Sequence, residues 1–489
     1  MSKKKKEDEI IVSFLGKEKE GVTGSCVSIS YLKNDNTRGL IVIDCGLCQE
    51  GHNVKERYNN NKNMLDDIGK DVVENCEIVL LSHSHVDHVG NLSYFNSENG
   101  FKGAILGTKE TLELSKKLIK DSVHIHKKDI EYMKSKGSKV KPLYTEPQMY
   151  DMFNHMEEVP VEQKIKINEN LTIVFHRNSH VLGATTISIY IKKPSGNVKH
   201  IVYSGDMGSG NNKAYENYIW TSHLPHKCNL FISEATYNKK DRQFTKSQAK
   251  KERDWLKKYI EENLKAGKRI LFPTFAFSRS QQLVTDFYKW FKDEEWFKDI
   301  PIYMDGLLMN EINSVYSRIL KDEDKELFDK VMSWKNIRKI KDYTGTVSIL
   351  SKREVGIYLA SSGFMEAGRI STYLPTFLPK SNDCIIVTGY CGSDIGNQIV
   401  DDNCKLVKFS KNEVYVKNAD IHQLHTYSSH IQYNELLKLY ETIRCDKIII
   451  HHSDSNKYNF AKEVKEHLMS KGITIQIMCV DDKNNQITL

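Results

Sequence analysis

Proline, long apolar runs and a regular cysteine pattern are scarce or absent in this sequence. Nine of the 489 residues are proline, and no apolar stretch reaches the ~18 residues that a transmembrane helix requires. The first ten residues, MSKKKKEDEI, contain no apolar segment of the kind found in a secretory signal. These absences predict a chain without a membrane span or a secretory leader. Its 39% hydrophobic content is enough for large packed cores.

The ten cysteines do not form a disulfide framework. Cys45 and Cys48 make a single CxxC pair, whereas a structural zinc site needs four ligands. We therefore interpret them as ordinary thiols in a reduced, cytoplasmic compartment. The net charge of +7 permits an acidic partner such as a nucleic acid but does not require one.

The order of strand-like and helix-like segments predicts an α/β protein. The first third carries β-rich runs such as GLIVID, CEIVLL and TTISIYI, with helical patterns over 109–120 and 129–136. From near Tyr237 strands and helices alternate, which predicts a parallel sheet with helices on both faces. The last segment returns to strand, helix, strand. A first domain interrupted by an α/β insertion explains this order, and a linear string of domains is the alternative.

One short motif carries most of the chemical information. The segment LSHSHVDHVG places His83, His85, Asp87 and His88 directly after an apolar strand, in the spacing HxHxDH. This spacing should arise by chance on the order of 10⁻³ times per chain of this length, so it is a strong indication of a metal site. Because the side chains alternate in direction, His83 and His85 can reach one metal ion while Asp87 and His88 reach a second. Imidazole and carboxylate donors suit zinc.

Four side chains cannot complete two metal sites, so further ligands must come from elsewhere. The candidates are titratable residues just beyond the ends of other predicted strands, namely Asp44, His180, Asp206, Glu234 and His452. Any one of them alone is more often a cap or a hydrogen-bonding group. Together with the HxHxDH motif they favour a shared site at strand ends.

In these motifs the chain resembles the metallo-β-lactamase superfamily. The superfamily's motifs occur in order as Asp44 in IVIDCGL, the HxHxDH segment, His180 in SHVLGA and Asp206 in YSGDMG. The resemblance covers nearly the whole chain, and its specificity lies in the order of many segments rather than in any one of them.

Three further motifs resemble those of the β-CASP ribonuclease branch of that superfamily. They are Glu234 in SEATY, His430 in YSSHIQYNELL and His452 in IHHSDSNKYNFA. His451 precedes His452, so the register is open by one residue. His452 is preferred because SDSNKYNFAKEV then aligns with the acidic residue and helix that follow in the family.

The resemblance implies a metallo-β-lactamase αββα sandwich with an inserted α/β parallel-sheet β-CASP domain. The corresponding boundaries are 1–237 for the first part of the sandwich, 238–406 for the insertion and 407–489 for the C-terminal return. Compact members of the branch are often dimers, so the resemblance also implies a homodimer.

The same resemblance assigns the site. It implies two Zn²⁺ ions, with Mn²⁺ as another option. The implied ligands are His83, His85 and His180 for the first ion, Asp87, His88 and His452 for the second, and Asp206 as the bridge. Asp44 would not bind metal itself but would orient the ligands by hydrogen bonding to them. The implied catalytic residues are Asp87, His430 as the acid that protonates the leaving oxygen, and Glu234, which holds the His430 ring.

The implied activity is hydrolysis of RNA phosphodiester bonds, leaving a 5′-phosphate and a 3′-hydroxyl, in RNA processing or decay. RNA-acting members of the branch resemble this chain in carrying His at the position of His452, where DNA-repair members usually carry Val. Single-stranded RNA would be held by the insertion, through Arg279 and through the small residues Ser361, Ser362, Gly363, Gly392 and Ser393 near phosphates. Each such turn alone is more often only a turn.

Two departures and three rivals accompany this interpretation. Gln432 in SSHIQ replaces the usual acid of the family, and Asn397 stands where a basic residue is common. The rivals are a DNA nuclease of the same branch, a scaffold subunit that binds RNA with little catalysis, and a thioester or lactone hydrolase on the same metal scaffold. The last would lack the insertion and the three β-CASP motifs.

Overall fold

The computed structural model describes residues 9–19, 21–209, 227–389, 391–410 and 412–489. The described chain divides into two compact units. The first contains 9–209, 227–243 and 430–489, and the second lies within 244–429. The first unit is therefore interrupted by the second, as the insertion hypothesis expected and a linear string of domains did not.

The described strands are, in chain order, β1 (Ile11–Phe14), β2 (Val27–Leu32), β3 (Arg38–Ile43), β4 (Ile78–Leu80), β5 (Ala104–Gly107), β6 (Met156–Glu158), β7 (Ile165–Lys166), β8 (Leu171–Arg177), β9 (Thr185–Lys192), β10 (Val198–Tyr203), β11 (Lys227–Glu234), β12 (Arg269–Pro273), β13 (Ile302–Asp305), β14 (Ile337–Ile340), β15 (Ile357–Ala360), β16 (Asp383–Val387), β17 (Leu406–Lys408), β18 (Val414–Val416), β19 (Asp420–Gln423), β20 (Arg444–His451), β21 (Gln476–Cys479) and β22 (Gln486–Thr488).

The described α-helices are α1 (Val54–Asn75), α2 (Val86–Val89), α3 (Lys109–Ser135), α4 (Glu146–Phe153), α5 (Lys246–Lys265), α6 (Arg279–Phe291), α7 (Leu307–Ile319), α8 (Asp322–Met332), α9 (Tyr343–Lys352), α10 (Ile370–Phe377), α11 (Asp394–Val400), α12 (Tyr433–Thr442) and α13 (Lys457–Ser470). Among these described helices, none is long and apolar enough to cross a bilayer.

The first unit is a helix–sheet–sheet–helix sandwich, as predicted. Its sheets have the orders β22-β1-β2-β3-β4-β5-β6 and β21-β20-β11-β10-β9-β8-β7. Alternate residues of both sheets, such as Ile29 and Ile189, meet in a fully buried core. The outer face of the first sheet packs on α1, α3 and α4 through residues such as Met64. The outer face of the second packs on α12 and α13, where Leu436 and Phe460 are buried.

The second unit is built on a parallel sheet, which the alternating strand and helix pattern predicted. Its six strands have the order β14-β13-β15-β12-β16-β19, and every pairing is parallel. Helices α5 to α8 cover one face through residues such as Leu256 and Leu283. Helices α9 to α11 cover the other through residues such as Leu374 and Ile399. Both faces are therefore buried, as parallel sheets require.

The predicted boundaries of the insertion, 238 and 406, both fall too early. The second unit takes up the chain at Phe244 and keeps it to Ser429. Strand β19 pairs with β16 and extends the parallel sheet, so the return at 407 was wrong. The sequence of β19 is DIHQ, which has a single apolar residue, and this explains why its strand character was not visible.

One helix was predicted as two. The patterns over 109–120 and 129–136 are parts of the continuous helix α3. No proline or glycine interrupts the intervening residues, and Ser122, Val123 and Ile130 keep one face of the helix buried. The polar HIHKKD segment therefore lies on a helix that continues through it.

Candidate metal centre

The HxHxDH loop leaves the carboxyl end of β4 and is held by main-chain hydrogen bonds. The Ser25 N–H donates to the Asp87 carbonyl oxygen (2.9 Å), and the Cys45 N–H donates to the His88 carbonyl oxygen (2.8 Å). A Cβ atom at Gly46 would lie 1.5 Å from the Asp87 carbonyl oxygen, so this close approach requires glycine. The backbone therefore fixes the loop and leaves its side chains available.

The first cluster contains His83, His85, His180 and Asp206, whose donor atoms all lie within 4.8 Å of one another. His85 Nδ1 lies 3.0 Å from His180 Nε2 and 3.2 Å from His83 Nε2. Burial lowers the pKa of His85 to about 4 and that of His83 well below its usual range. These rings are therefore neutral, which is the form that binds a metal.

The second cluster contains Asp87, His88, Asp206 and His452, within the same 4.8 Å limit. Asp206 Oδ1 lies 3.3 Å from His88 Nε2 and 3.6 Å from His452 Nδ1. Asp87 Oδ2 lies 3.8 Å from His452 Nε2. Asp206 belongs to both clusters, in the position expected for a bridging ligand.

Three buried atoms of the second cluster have no hydrogen-bond partner in the described part of the chain. They are His88 Nε2, Asp206 Oδ1 and His452 Nε2. Leaving a buried polar atom unpaired costs about 1–3 kcal/mol. All three are donor atoms that zinc accepts, so one cation would satisfy them together. The residues present thus fit the metal that the motif predicted.

Asp44 lies behind the second cluster and is fully buried. Its Oδ2 is 2.7 Å from His88 Nδ1, which leaves Nε2 facing the cluster. The Ser82 N–H and hydroxyl donate to Asp44 at 2.8 and 2.6 Å, and the Tyr203 hydroxyl donates at 3.2 Å. Sequence reasoning missed Ser82 and Tyr203. The only signal for Ser82 was its place immediately before His83.

His430 and Glu234 also lie together. His430 Nδ1 is 3.4 Å from Glu234 Oε1 and 3.9 Å from Asp206 Oδ2. Burial works against the charged ring, but the carboxylates of Glu234 and Asp206 outweigh it and raise the pKa of His430. The two carboxylates therefore favour the protonated form of the His430 imidazole, which lies beside both clusters.

Gln432, which departs from the family pattern, supports the segment that carries His430. Its side-chain amide donates to the His430 carbonyl oxygen at 3.1 Å, and its own N–H donates to Glu435 at the start of α12. The substitution therefore keeps a structural contact to this segment.

The two adjacent histidines His451 and His452 lie in different environments. The ring of His452 lies in the second cluster, whereas that of His451 packs 5.8 Å from the Phe14 ring and 5.4 Å from the Tyr203 ring. His451 belongs to neither cluster of the described residues.

Most predicted substrate-binding residues lie just beyond the carboxyl ends of β12 and β15. Ser361 and Ser362 follow β15, and Arg279 begins α6. The Arg279 guanidinium lies 4.8 Å from the centre of the Phe275 ring, and a Cβ at Gly363 would be 3.0 Å from that ring. The carboxyl edge of a parallel sheet is where α/β proteins place their ligands. Phe275 joins these residues and was not found from the sequence.

The turn after β16 contains the remaining two predicted residues. Gly392 is exposed. The Ser393 hydroxyl accepts from the Gly396 N–H at 2.8 Å, as the N-cap of α11, and donates to the Phe364 carbonyl oxygen at 2.5 Å. The hydroxyl is therefore used inside the protein, which favours the cap interpretation of Ser393 over a phosphate contact.

Three family descriptions match this chain. The sequence model described as "Beta-Casp domain" matches residues 280–399, and that described as "Zn-dependent metallo-hydrolase RNA specificity domain" matches 414–478. A third, described as "Anti-Pycsar protein Apyc1", matches 32–281, a little over half of the 489 residues.

Curated relatives match over most of this chain at low identity. Endoribonuclease ysh1 of Schizosaccharomyces pombe is 24% identical over 81% of this chain and 49% of its own length. Integrator complex subunit 11 of Gallus gallus is 24% identical over 93% of this chain and 70% of its own. Transcription termination factor FttA of Methanothermobacter thermautotrophicus is 23% identical over 88% and 65%. The chain thus spans about half the length of the first of these proteins.

Proposed function

Since the chain belongs to the RNA-processing β-CASP branch of the metallo-β-lactamase superfamily, we propose that it is a metal-dependent ribonuclease acting on single-stranded RNA. One observation carries the proposal. Two His/Asp clusters share Asp206 in the first unit, and the matched β-CASP segment lies in the second. The names of the endoribonuclease relatives support RNA as the substrate. A cytoplasmic location and a homodimer stay predictions.

We propose that the clusters hold two Zn²⁺ ions, with Mn²⁺ as the alternative. The residues that would hold them are His83, His85 and His180 for one ion, Asp87, His88 and His452 for the other, and Asp206 for both. When bound, the two ions supply an activated water nucleophile and neutralise the phosphodiester charge. Asp44, through its contact with His88 Nδ1, would keep Nε2 of His88 directed into the second cluster.

His430 is the proposed general acid. As the bond from phosphorus to the 3′ oxygen breaks, a proton from the His430 ring passes to that oxygen, which leaves as a hydroxyl. Glu234 holds the ring in place through Nδ1 and favours its protonated form. The water oxygen remains on phosphorus, so the other product carries a 5′-phosphate.

A small-molecule hydrolase is the second candidate. Residues 32–281 also belong to the family described as "Anti-Pycsar protein Apyc1", and this match includes HxHxDH, His180 and Asp206 without the RNA-specificity segment. Metal ligands alone do not set the substrate. The DNA nuclease and the weakly catalytic RNA scaffold remain as rivals to be separated by experiment.

The test uses RNA and DNA of one single-stranded sequence, each labelled at the 5′ or 3′ end, at matched salt. The wild-type chain is compared with Asp87→Ala/His88→Ala and with a control, His52→Ala/Asp241→Ala, which changes the same residue types at exposed positions. We expect the wild type and the control to cut RNA and the cluster variant to be inactive.

The outcomes separate the candidates. Equal cutting of DNA would contradict the RNA assignment made from His452. Zinc binding without any cutting would favour the scaffold or a small substrate. Among active outcomes, the label pattern distinguishes internal cutting from exonuclease action.

A further inference from the structure

A groove on the second unit has a basic lining that the proposed mechanism does not use. It has a volume of about 250 Å³ and lies at the first turns of α5 and the end of α6. Its lining consists of Lys246, Ala249, Lys250, Arg253, Asp254 and Trp290, and we call it the basic groove. None of these residues belongs to the two metal clusters.

Two lysines give the basic groove two positive charges, and Asp254, which also lines it, contributes one negative charge. Lys246 and Lys250 are exposed, lie four residues apart on α5, and form no ion pair with any residue that the structure describes. Like charges at this spacing destabilise a helix, and a cation in the first turn opposes the helix dipole. The first turn of α5 also has no acidic residue. Asp254, four residues after Lys250, offsets part of this charge, but the two lysines outnumber it, so the remaining charge is positive and favours an anionic ligand.

Arg253 lines the groove, but its positive charge is paired with a carboxylate. Its Nε donates to Asp286 Oδ2 at 3.0 Å, and the Tyr427 hydroxyl donates to the same oxygen at 2.8 Å. Asp286 is buried, so the guanidinium is held in one position by a paired carboxylate. The free positive charge of the groove therefore comes from its two lysines.

Trp290 adds a rigid aromatic surface beside the lysines. It is half-buried, and its ring lies 6.2 Å from the Phe287 ring and 6.1 Å from the Phe291 ring. Lysines that follow a phosphate backbone and an aromatic ring that stacks on a base are the two features of single-strand binding surfaces. The volume is below the ~300–1,000 Å³ of sites that enclose a whole small ligand, and it suits one unit of a polymer.

We propose that the basic groove binds one nucleotide unit of single-stranded RNA. Lys246 and Lys250 contact its phosphates, and Trp290 stacks on its base. This inference rests on the proposed function, because it takes RNA as the ligand.

The test measures binding in the Asp87→Ala/His88→Ala background, where no cutting is expected. A fluorescent single-stranded RNA of 20 nucleotides is titrated by anisotropy at several salt concentrations. Lys246→Gln/Lys250→Gln is compared with Lys258→Gln/Lys298→Gln, which removes the same charge from exposed positions of the same unit. Each lost phosphate contact should flatten the slope of log Kd against log salt by about 0.7.

We expect the groove variant to flatten that slope by about 1.4 and the control to leave it unchanged. A 4-thiouridine RNA should also crosslink to the peptide containing Trp290 when both lysines are present. Equal slopes in the two variants would overturn the proposal, provided both melt at the same temperature as the parent. If the groove variant flattens the salt dependence but the wild type cuts no RNA, the proposed function is contradicted and the proposal of RNA binding in the groove is supported. If RNA is cut and the slopes are equal, only the groove proposal fails.

Discussion

Glu234 is fully buried, and main-chain donors occupy both of its carboxylate oxygens. The Met207 N–H donates to Oε1 at 2.7 Å, and the Thr236 N–H donates to Oε2 at 3.1 Å. The carboxylate therefore cannot turn away from His430, which lies 3.4 Å from it. His430 is not among the ligand candidates, but its Nδ1 lies 3.9 Å from Asp206 Oδ2, so a test of its role must also measure metal content.

Replacing His430 tests the proposed proton donor. We expect His430→Gln to lower kcat for RNA by about 10²–10⁴-fold, because general acid catalysis contributes that much. Zinc content and RNA affinity should stay at wild-type values. Glu234→Gln should give a smaller loss in kcat, since it weakens the hold on the ring without removing the proton. Loss of zinc in His430→Gln, measured by atomic absorption, would instead make His430 part of the metal site.

The ligand candidates can be found from the sequence, whereas the residues that support them cannot. The ligand candidates could be predicted because each stands at the end of a strand, where local pattern alone places it. Ser82 and Tyr203 both donate to Asp44, yet Tyr203 is 159 residues from it in the chain. Phe275 likewise could be identified only from its contacts in the folded chain, with Arg279 and Gly363. Contacts of this kind depend on the folded arrangement and leave no local signal.

Among the elements, β9, β10 and β11 surround His200, a partly buried histidine whose neutral form they favour. His200 on β10 stacks 4.1 Å from the Tyr190 ring of β9. Its Nδ1 donates to the Lys227 carbonyl oxygen, which leaves Nε2 to accept from the Ser188 hydroxyl at 3.0 Å. Burial lowers the pKa of His200 to about 4. A proton on Nε2 would make it a donor, so the Ser188 hydroxyl would have to accept, and the charged ring would remain partly desolvated.

These strands should therefore be acid-sensitive. Unfolded His200 takes up its proton near pH 6.5, but folded His200 does so only near pH 4. The unfolded state binds more protons between these values, so the free energy of unfolding falls as the pH drops from about 6.5 towards 4. We expect His200→Gln to reduce this loss by about 1–2 kcal/mol at pH 4.5.

Urea unfolding at pH 7 and 4.5, with a chelator present throughout, measures the effect without a contribution from metal release. His124→Gln is the matched control, because His124 is exposed. The prediction would be contradicted if the free energy of unfolding fell as much between pH 7 and pH 4.5 in His200→Gln as in the control.

Element types were easier to predict than element limits. Apolar runs such as GLIVID and RILFPTF revealed β3 and β12, whose residues are almost wholly buried. Edge strands such as β19 expose part of every side chain and need no apolar run. The buried stripe of the highly charged α5 consists of a few residues among many lysines and glutamates, including Ala249, Leu256, Ile260 and Leu264. A strand buried on both faces can thus be predicted from its apolar run, whereas the limits of an exposed element cannot.

At the scale of the whole molecule, the two units have separate cores. The clusters between and around the two sheets of the first unit share no residue with those of the second. The described metal-cluster residues all belong to the first unit, on loops after β4, β8, β10 and β20. A bound metal should therefore stabilise the first unit directly.

Metal removal should affect the two units unequally. A ligand at 100 times its Kd stabilises the state that binds it by about 2.7 kcal/mol. We expect a chelator to speed hydrogen exchange in peptides covering 82–90, 178–182 and 204–208, which carry ligand candidates of the two clusters. Peptides of β12, β15 and β16 should keep their protection. Asp87→Ala/His88→Ala should respond much less than the wild type, because it has lost two ligands of one cluster. If peptides of the first unit and of the parallel sheet of the second unit lose protection equally, the metal stabilises the whole chain. The prediction that it stabilises mainly the first unit would then be contradicted.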